Sequence, residues 1–461
     1  MKSTEQDSIY YLEKAPVPGA ILHMAVPMIM GMILGLVYNV IDAYFIGRLG
    51  NTAMMAAITL AFPIEILVMG IGQIYGSGGG TLIPRLLGDK NFEEVKQASS
   101  VNFYLALLSG IVLMLVLVPT LTPMLSLIGA TGEALRYTRD FALILALGSP
   151  LIITNMALSE TIRGEGAATA SMTGMILSVV VNILLDPVFI FFLKMNVMGA
   201  ALATVIANAA AVAYFVWYIQ AKSKVQSIRI KDFRPNKEIL SNIYKIGSAA
   251  FLFSALAIIS TSMFNTYALG YGDNVIAAFG IANRVVQICE FLGSGLFTGV
   301  VPLIAYAYAA GNRKRLNQVV YATTLFFVGI TLILGGTFMV FRQQIFSLFS
   351  KDLGVLVAGY KILTAMLVST LFTGFTSIIS NMFEAFGAGI QANIMAVVRG
   401  LVLIPIIYLG NQMLGLNGVI WSLPAAEISA CFVGMLLWLA SGRKYMAVPL
   451  EKRKELVPGM E

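Results

Sequence analysis

Twelve long apolar segments follow one another through this 461-residue chain, and they leave few folds open to it. A helix needs about 20 apolar residues to cross the hydrocarbon core of a bilayer. Since lipid offers no hydrogen bonds to the backbone, apolar segments of this length must be helical. The sequence therefore predicts an all-α integral membrane protein whose twelve transmembrane helices lie at about 18–46, 53–82, 97–122, 137–160, 167–192, 197–220, 243–270, 276–308, 317–341, 357–383, 391–413 and 417–441.

The composition points the same way. Only 11% of the residues are charged, against roughly 25% in soluble domains, and the mean hydropathy is +0.85. Residues 1–18 are polar and the first apolar segment is too long for a leader, so we expect no cleavable signal peptide. Cys289 and Cys431 both lie in apolar segments, and we expect no disulfide.

The distribution of basic residues predicts the orientation of the chain in the membrane. If the N-terminus is cytoplasmic, 21 of the 30 Lys and Arg residues fall in cytoplasmic segments, whereas 7 fall in segments on the other side. Basic residues favour cytoplasmic loops, so we expect a multi-pass membrane protein with both termini in the cytoplasm. The net charge of +7 is therefore a topology signal and gives no reason to expect a nucleic-acid partner.

An internal repeat divides the chain. A shift of 223 residues places Tyr44 on Tyr267, Gly72 on Gly295 and Gly76 on Gly299. Two halves with six helices each have the same orientation in the membrane, which is an arrangement found in transporters. The predicted units are therefore an N-terminal six-helix bundle, a cytoplasmic linker, a pseudo-symmetric C-terminal six-helix bundle and a cytoplasmic tail, at 1–220, 221–242, 243–441 and 442–461.

Acidic residues inside apolar segments are functional candidates, because a charge at the bilayer centre costs at least ~2.5–3.5 kcal/mol. We single out seven candidates inside spans or at span ends: Asp42, Glu65, Glu160, Asp186, Glu290, Glu384 and Glu427. In the N-terminal half, two of these acids have a polar residue four positions earlier, on the same helix face, and a third such pair contains no acid. The three pairs are Tyr38 with Asp42, Asn182 with Asp186, and Thr204 with Asn208.

The repeat distinguishes these candidates further. Asn265 stands where Asp42 does in the first half, and Asp186 has only apolar residues opposite it. We therefore expect the titratable site in the N-terminal half, with Asp42 and Asp186 as its functional acids. Asn182 and Thr204, each taken alone, are better explained by hydrogen bonds between helices, which contribute ~0.6–2 kcal/mol.

Substrate-contact candidates lie elsewhere in the sequence. They are Glu290, Arg284 and the asparagine of the Thr154–Asn155 step. Glu290 is a natural counter-ion for a cationic compound, although a second proton site or a buried hydrogen bond explains it equally well. The other four acids are weaker candidates, and Glu160 and Glu384, near span ends, are expected to be solvated.

Several enzymatic and cofactor classes receive no support. The "GSGGG" stretch at 76–80 resembles a phosphate loop, but it lies inside a span and has no lysine in the required position. We interpret it as a stretch that permits close helix packing or a flexible helix. No metal-ligand spacing and no nucleophile motif is found, so we expect neither an enzyme nor a bound cofactor or structural metal, and no use of ATP.

The chain resembles the multidrug and toxic compound extrusion (MATE) family, in its bacterial MepA-like branch. The resemblance spans nearly the whole chain and includes "YFIG", "RLLGDKN", "NILLDP", "GVVPLIAY" and "GVIWSL". It implies antiport, in which a drug leaves as a proton or sodium ion enters. It also implies a cation site in the N-terminal half formed by Asp42, Asn182, Asp186 and Thr204, with Tyr38 nearby. Other branches carry a glutamate in the seventh helix, which "GSAAFLFSALAII" lacks, so a second ion site is in doubt.

We therefore expect a secondary active multidrug exporter for lipophilic and cationic compounds, with a proton as the favoured coupling ion and a role in antibiotic resistance. Sodium bound by the same four residues is the first alternative, and flipping of a lipid-linked substrate is the second. Outside the class of active transporters, the alternatives are a passive channel and a membrane scaffold, although neither needs a pair of buried carboxylates. Expected partners are organic cations and membrane lipid, and the protein is expected to act as a monomer.

Overall fold

The computed structural model describes residues 7–442 and consists of long helices joined by short connections. Within these described residues, twelve helices are long and apolar enough to cross a membrane, which confirms the predicted number. We number them α1 Val17–Gly47, α2 Thr52–Gly88, α3 Phe92–Leu127, α4 Gly132–Gly164, α5 Ala168–Phe192, α6 Asn196–Ala221, α7 Lys237–Leu269, α8 Asp273–Ala309, α9 Arg313–Val340, α10 Leu353–Ala385, α11 Gly389–Leu414 and α12 Leu416–Ser441. No β-strand occurs between residues 7 and 442. Residues 443–461 of the predicted tail lie outside the described residues.

Most helices extend a few residues beyond the predicted spans, because polar caps carry them past the apolar segments. Five helices begin with a side-chain cap, in which an oxygen accepts a backbone N–H of the first turn. These caps are Asn51, Asn91, Asn236, Asn312 and Asp352. Short helices at Asp7–Glu13 and Arg342–Phe349 lie outside the spans.

Three of the described helices depart from regular α geometry, and the last of them, α12, ends in a π-helical turn at Trp438–Gly442. The α-helical part of α5 ends at Pro187, and a π-helical turn, Val188–Phe192, follows it. Proline cannot donate a backbone hydrogen bond, so the ladder changes register at this point. Asp186 therefore lies directly at the junction. In α11 the helix is interrupted at Val402.

The segment between the two halves is shorter and more buried than its polar composition suggested. Helix α7 begins at Lys237, inside the predicted linker 221–242. The Ser99 hydroxyl donates to the carbonyl of Ser227 and accepts from its N–H, both at 3.0 Å. The Tyr104 hydroxyl donates to the Ile228 carbonyl at 3.0 Å. The segment is therefore fastened along the N-terminal half, α1–α6.

The two halves meet through glycines at the end of the molecule where α1 begins. At these positions a Cβ atom would collide with the backbone of the other half, so only glycine permits the observed approach. The contacts are Gly78 with Ile243, Gly247 with Ile74, Gly295 with Ile29, and Gly299 with Ala25. In the "GSGGG" stretch, a Cβ at Gly79 would likewise collide with Asn102, and one at Gly80 would crowd Glu160, which confirms close packing as its role. Towards the other end, residues such as Val40 of α1 and Leu269 of α7 are exposed.

Candidate functional site

A polar network in the N-terminal half joins α1, α5 and α6. With its amide oriented to satisfy both atoms, Asn182 donates to Asp186 Oδ2 at 2.8 Å and accepts from the N–H and hydroxyl of Thr204 at 3.1 Å. The Tyr38 hydroxyl lies 3.4 Å from Thr204 Oγ1. The i, i+4 spacing that placed Asn182 and Asp186 on one face thus brings them together. Thr204 is the residue that connects α5 and α6 to α1.

The two predicted acids occupy different environments. Asp186 is fully buried, at 0% exposure, and its Oδ1 has no hydrogen-bond partner. Asp42 is partly buried and lies within electrostatic range of Tyr38 and Asp186. Glu65 of α2 lies within electrostatic range of Asp42 as well, so it belongs to this acidic group, although it was a weak candidate on sequence grounds.

A second layer of amides supports this network from α4. Asn208 donates to the Thr204 carbonyl at 2.8 Å, and its own oxygen accepts from Asn155 at 2.7 Å. Thr154, the preceding residue, is buried. The structure therefore places Asn155, a predicted substrate contact, in the N-terminal network. No spacing rule within one helix connects α4 to α6, which is why the sequence did not reveal this bond.

A cavity of about 770 Å³ lies in the C-terminal half, α7–α12. Its apolar wall includes Phe253, Phe264, Phe279 and Met366. Its polar lining consists of side chains from α7, α8, α10, α11 and α12, among which are Thr261, Asn265, Asn283, Glu290, Thr370, Arg399 and Glu427. Thr261 and Asn265 are the repeat equivalents of Tyr38 and Asp42, so the same face of α1 and α7 lines a polar site in each half.

The sequence predicted only some of the charged groups that line this cavity. Glu290 and Glu427 lie within electrostatic range of each other, and Glu427 Oε2 is buried without a hydrogen-bond partner. The guanidinium of Arg399 stacks over Phe253 at 4.7 Å. Arg284, predicted as a substrate contact, is exposed and is not among the residues that line the cavity.

The C-terminal half therefore does contain a pair of acids, although α7 has no acid beyond Glu238 in its first turn. Its two acids come from positions that do not match Asp42 and Asp186 under the repeat, which explains why a position-by-position comparison overlooked the pair.

The sequence suggested that the acids near the span ends are solvated, but the structure shows that both interact with arginines. Glu160 forms an ion pair with Arg163, which is buried. Arg163 also lies 3.5 Å from the sulfur of Met28 in α1. Glu384 interacts electrostatically with Arg399. Both acids therefore balance an arginine inside the protein.

The described chain, residues 7–442, contains no group of three His, Cys, Asp or Glu side chains arranged to hold a metal ion. Hard oxygen atoms are nevertheless concentrated around Asp186, Asn182 and Thr204, and oxygen is the donor that alkali and alkaline-earth cations prefer. Cys289 and Cys431 are both free thiols.

Comparisons with known proteins identify the fold and the family. The MatE family model matches residues 27–188 and again residues 246–409. Multidrug export protein MepA of Staphylococcus aureus (strain NCTC 8325 / PS 47) is 37% identical over 433 residues, covering 94% of this chain and 96% of that protein. MepA of Staphylococcus saprophyticus is 36% identical over 435 residues, covering 94% of this chain and 96% of that protein. A solved structure described as the outward-facing conformation of a multidrug resistance MATE family transporter of the MOP superfamily superimposes with a TM-score of 0.88, at 26% identity, over 98% of this chain and 100% of that one. The chain is therefore no enzyme but a membrane transporter that belongs to the multidrug and toxic compound extrusion (MATE) family.

Proposed function

We propose that this transporter exports lipophilic and cationic compounds in exchange for protons, which bind at Asp42 and Asp186. The observation that carries the proposal is the state of Asp186: the carboxyl group is fully buried, one oxygen is bound to Asn182, and the other has no partner. A buried carboxylate of this kind is expensive to keep charged, so it favours a bound proton or cation.

The hydrogen-bond network supplies a means of transmitting the binding of a proton from Asp186 to α1. A proton on Asp186 removes its charge and changes what Asn182 can donate to it. Asn182 is bonded to Thr204, which contacts Tyr38 on α1. Helix α1 contains Pro27, where the missing backbone donor makes bending easy. We infer that binding of the coupling ion is read out as a movement of α1.

The cavity in the C-terminal half is the proposed substrate site. Glu290 and Glu427 give it two carboxylates, and the apolar wall suits an organic cation. Met366 and the phenylalanines allow ligands of different shapes, because methionine repacks easily. A lipid-linked diphosphate is a poorer fit, since Arg399 is outnumbered by the two acids.

Sodium is the second candidate for the coupling ion. The unpartnered Asp186 Oδ1, together with the oxygens of Asn182 and Thr204, forms a set of ligands suited to a hard cation. Asp42 completes the same set from α1. These residues therefore support either ion, and only an experiment with separate gradients distinguishes them.

We further propose that the protein acts as a monomer, without ATP, in the inner membrane of a bacterial cell. Both termini then lie in the cytoplasm, in agreement with the positive-inside count. The glycine contacts between the halves are then at the cytoplasmic end, where the two halves pack closely.

The test is transport in proteoliposomes that contain the purified protein and a fluorescent lipophilic cation such as ethidium. An imposed pH gradient alone should drive uphill accumulation, and a sodium gradient at constant pH should not. Accumulation with sodium alone would reject proton coupling and retain the antiporter. Equilibration without accumulation under either gradient would indicate a passive channel, and no movement at all would indicate a scaffold.

A further inference from the structure

A second cavity, of about 940 Å³, lies at the end of the molecule where α1 begins. We refer to it as the interfacial cavity. It is bounded by the short helix Asp7–Glu13, the loop before α5, the end of α6 and the start of the segment that leads to α7. Its lining includes Tyr10, Tyr11, Lys14, Trp217, Lys222 and Lys224. None of these residues belongs to the ion network or to the proposed substrate site.

The N-terminal wall of the interfacial cavity is firmly positioned. Arg315 of α9 donates to the carbonyls of Tyr11, Leu12 and Ala15 at 2.7–2.8 Å, which satisfies the end of the short helix. The Tyr11 ring stacks on His23 of α1, with 3.6 Å between ring centroids. The cavity is thus a built feature of the fold, because its wall is held by both halves of the protein.

The acids near the cavity are occupied by the protein itself. Glu165, at 3% exposure, accepts hydrogen bonds from Ser223 at 2.6 Å and from Gln226 at 3.0 Å. Burial raises the pKa of Glu165 to about 7, so much of its population is uncharged at neutral pH. Glu13 lies within electrostatic range of Arg315. Glu165 is therefore poorly placed to hold a cationic ligand, and Arg315 partly balances the charge of Glu13, which also lines the cavity.

The rim of the cavity is basic and aromatic. Lys14, Lys222 and Lys224 are all exposed there. Trp217 and Tyr10 are 51% and 44% exposed, respectively, at the end of the apolar spans. Tryptophan and tyrosine prefer the level of the lipid headgroups, where one end of the ring is wet and the other apolar. Basic pockets between transmembrane helices at this level suit phosphate-bearing headgroups.

We propose that the interfacial cavity binds the phosphate headgroup of an anionic membrane lipid. Lys14, Lys222 and Lys224 surround the phosphate, and Trp217 lies where the headgroup meets the acyl chains. The short helix that forms one wall is bonded to α9 and stacked on α1, so a lipid bound here contacts an element shared by the two halves.

Native mass spectrometry of the full-length protein in a neutral detergent tests this site. The protein is titrated with phosphatidylglycerol and, separately, with phosphatidylcholine of the same acyl chains. Each basic residue at an anionic lipid surface contributes roughly a fivefold change in affinity, so the first phosphatidylglycerol should bind at least about tenfold more tightly than phosphatidylcholine. A triple variant, Lys14→Gln, Lys222→Gln and Lys224→Gln, should lose this preference.

A matched control removes three exposed basic residues outside the cavity, in Lys231→Gln, Arg234→Gln and Lys237→Gln. The control has the same net charge and should keep the native preference. Equal loss in both triple variants, or no preference in the native protein, would overturn the proposal. So would displacement of phosphatidylglycerol by millimolar inorganic phosphate, which would indicate a free-anion site, or by tetraphenylphosphonium, which would indicate a drug vestibule.

A second measurement locates the lipid. In a variant with Trp421→Phe and Trp438→Phe, Trp217 is the remaining tryptophan of the three. Phosphatidylglycerol brominated near the top of its acyl chains should quench it more strongly than brominated phosphatidylcholine does. Equal quenching by the two lipids would contradict a headgroup-specific site beside Trp217.

Discussion

The replacement Asp186→Asn separates the role of a proton-binding group from the role of a hydrogen-bonding group. The amide has nearly the shape of the carboxyl group, but it cannot take up or release a proton. Asp186 is fully buried and bonded through Oδ2 to Asn182. In the variant the new side-chain oxygen can still accept that bond, while its NH2 group replaces the unpartnered Oδ1.

The expected effects on stability and on transport differ greatly in size. At most one hydrogen bond is weakened, which reduces the free energy of unfolding by about 0.5–1.5 kcal/mol. If one proton is exchanged for one singly charged drug molecule, transport reaches equilibrium when the ratio of drug concentrations across the membrane equals the ratio of proton concentrations. One pH unit is worth about 1.4 kcal/mol, so the native protein should build a drug ratio of about ten. The Asp186→Asn variant should remain at about one.

The assay is accumulation of ethidium in proteoliposomes with an imposed gradient of one pH unit. The control is Asp140→Asn, which makes the same chemical change in α4, away from the network. It should accumulate drug like the native protein, and all three proteins should show similar melting temperatures and similar amounts in the membrane. If Asp186→Asn accumulates ethidium tenfold, the reasoning from its burial and its unpartnered oxygen is refuted.

Four other outcomes follow from the structure. Glu290→Gln should weaken binding of cationic compounds more than of neutral compounds of similar size, as measured by fluorescence titration; equal losses would point to a structural or proton-coupling role. Lowering the pH from 8 to 6 should weaken drug binding by up to about tenfold per pH unit, because proton and drug favour opposite states of the transporter. Asp42→Asn should flatten this pH dependence. A pH-independent affinity that falls with added sodium would make Asp42 a sodium ligand. The folded pKa of Glu165 is about 7 and its ordinary value is 4.5, so the free energy of unfolding should fall by up to roughly 3 kcal/mol as the pH rises between these values. Glu165→Gln should remove this loss, so the variant should melt higher than the native protein at pH 8 but not at pH 4. Identical melting curves at pH 8 would contradict this prediction. In a background without the native cysteines, Arg229→Cys and Lys351→Cys should be labelled from opposite sides of the membrane, whereas labelling from one side would contradict the orientation.

The number and approximate limits of the helices could be predicted because lipid imposes one simple requirement. Every span must be apolar and helical over a fixed thickness, and the sequence shows this directly. The helix ends were less predictable, since caps such as Asn91 and Asn312 extend the helices into water. The buried segment around Ser227 was also unexpected, because its partners on α3 are distant in sequence.

The site was predictable to the extent that it lies on one helix face. Spacing of four residues related Asn182 to Asp186, and the structure shows that bond. Contacts between helices depend on how each helix is rotated about its axis, which one sequence does not reveal. For this reason the bond from Asn155 to Asn208 was not predicted, and Glu65 received little weight although it lies within electrostatic range of Asp42.

The repeat explains why the acids of the two halves were judged so differently, and it also suggests how they communicate. A comparison of equivalent positions in the two halves finds Asn265 opposite Asp42. That comparison alone implies that only the N-terminal half binds and releases protons. Helix α1, which carries Asp42, packs through Ile29 directly on Gly295 of α8, and α8 carries Glu290 only five residues earlier. A movement of α1 therefore acts on the helix that bears the proposed drug-binding acid, without any direct contact between the two carboxylates. If this path couples them, the effects of Asp42→Asn and Glu290→Gln on drug affinity should be non-additive, whereas additive effects would show that the two halves respond independently.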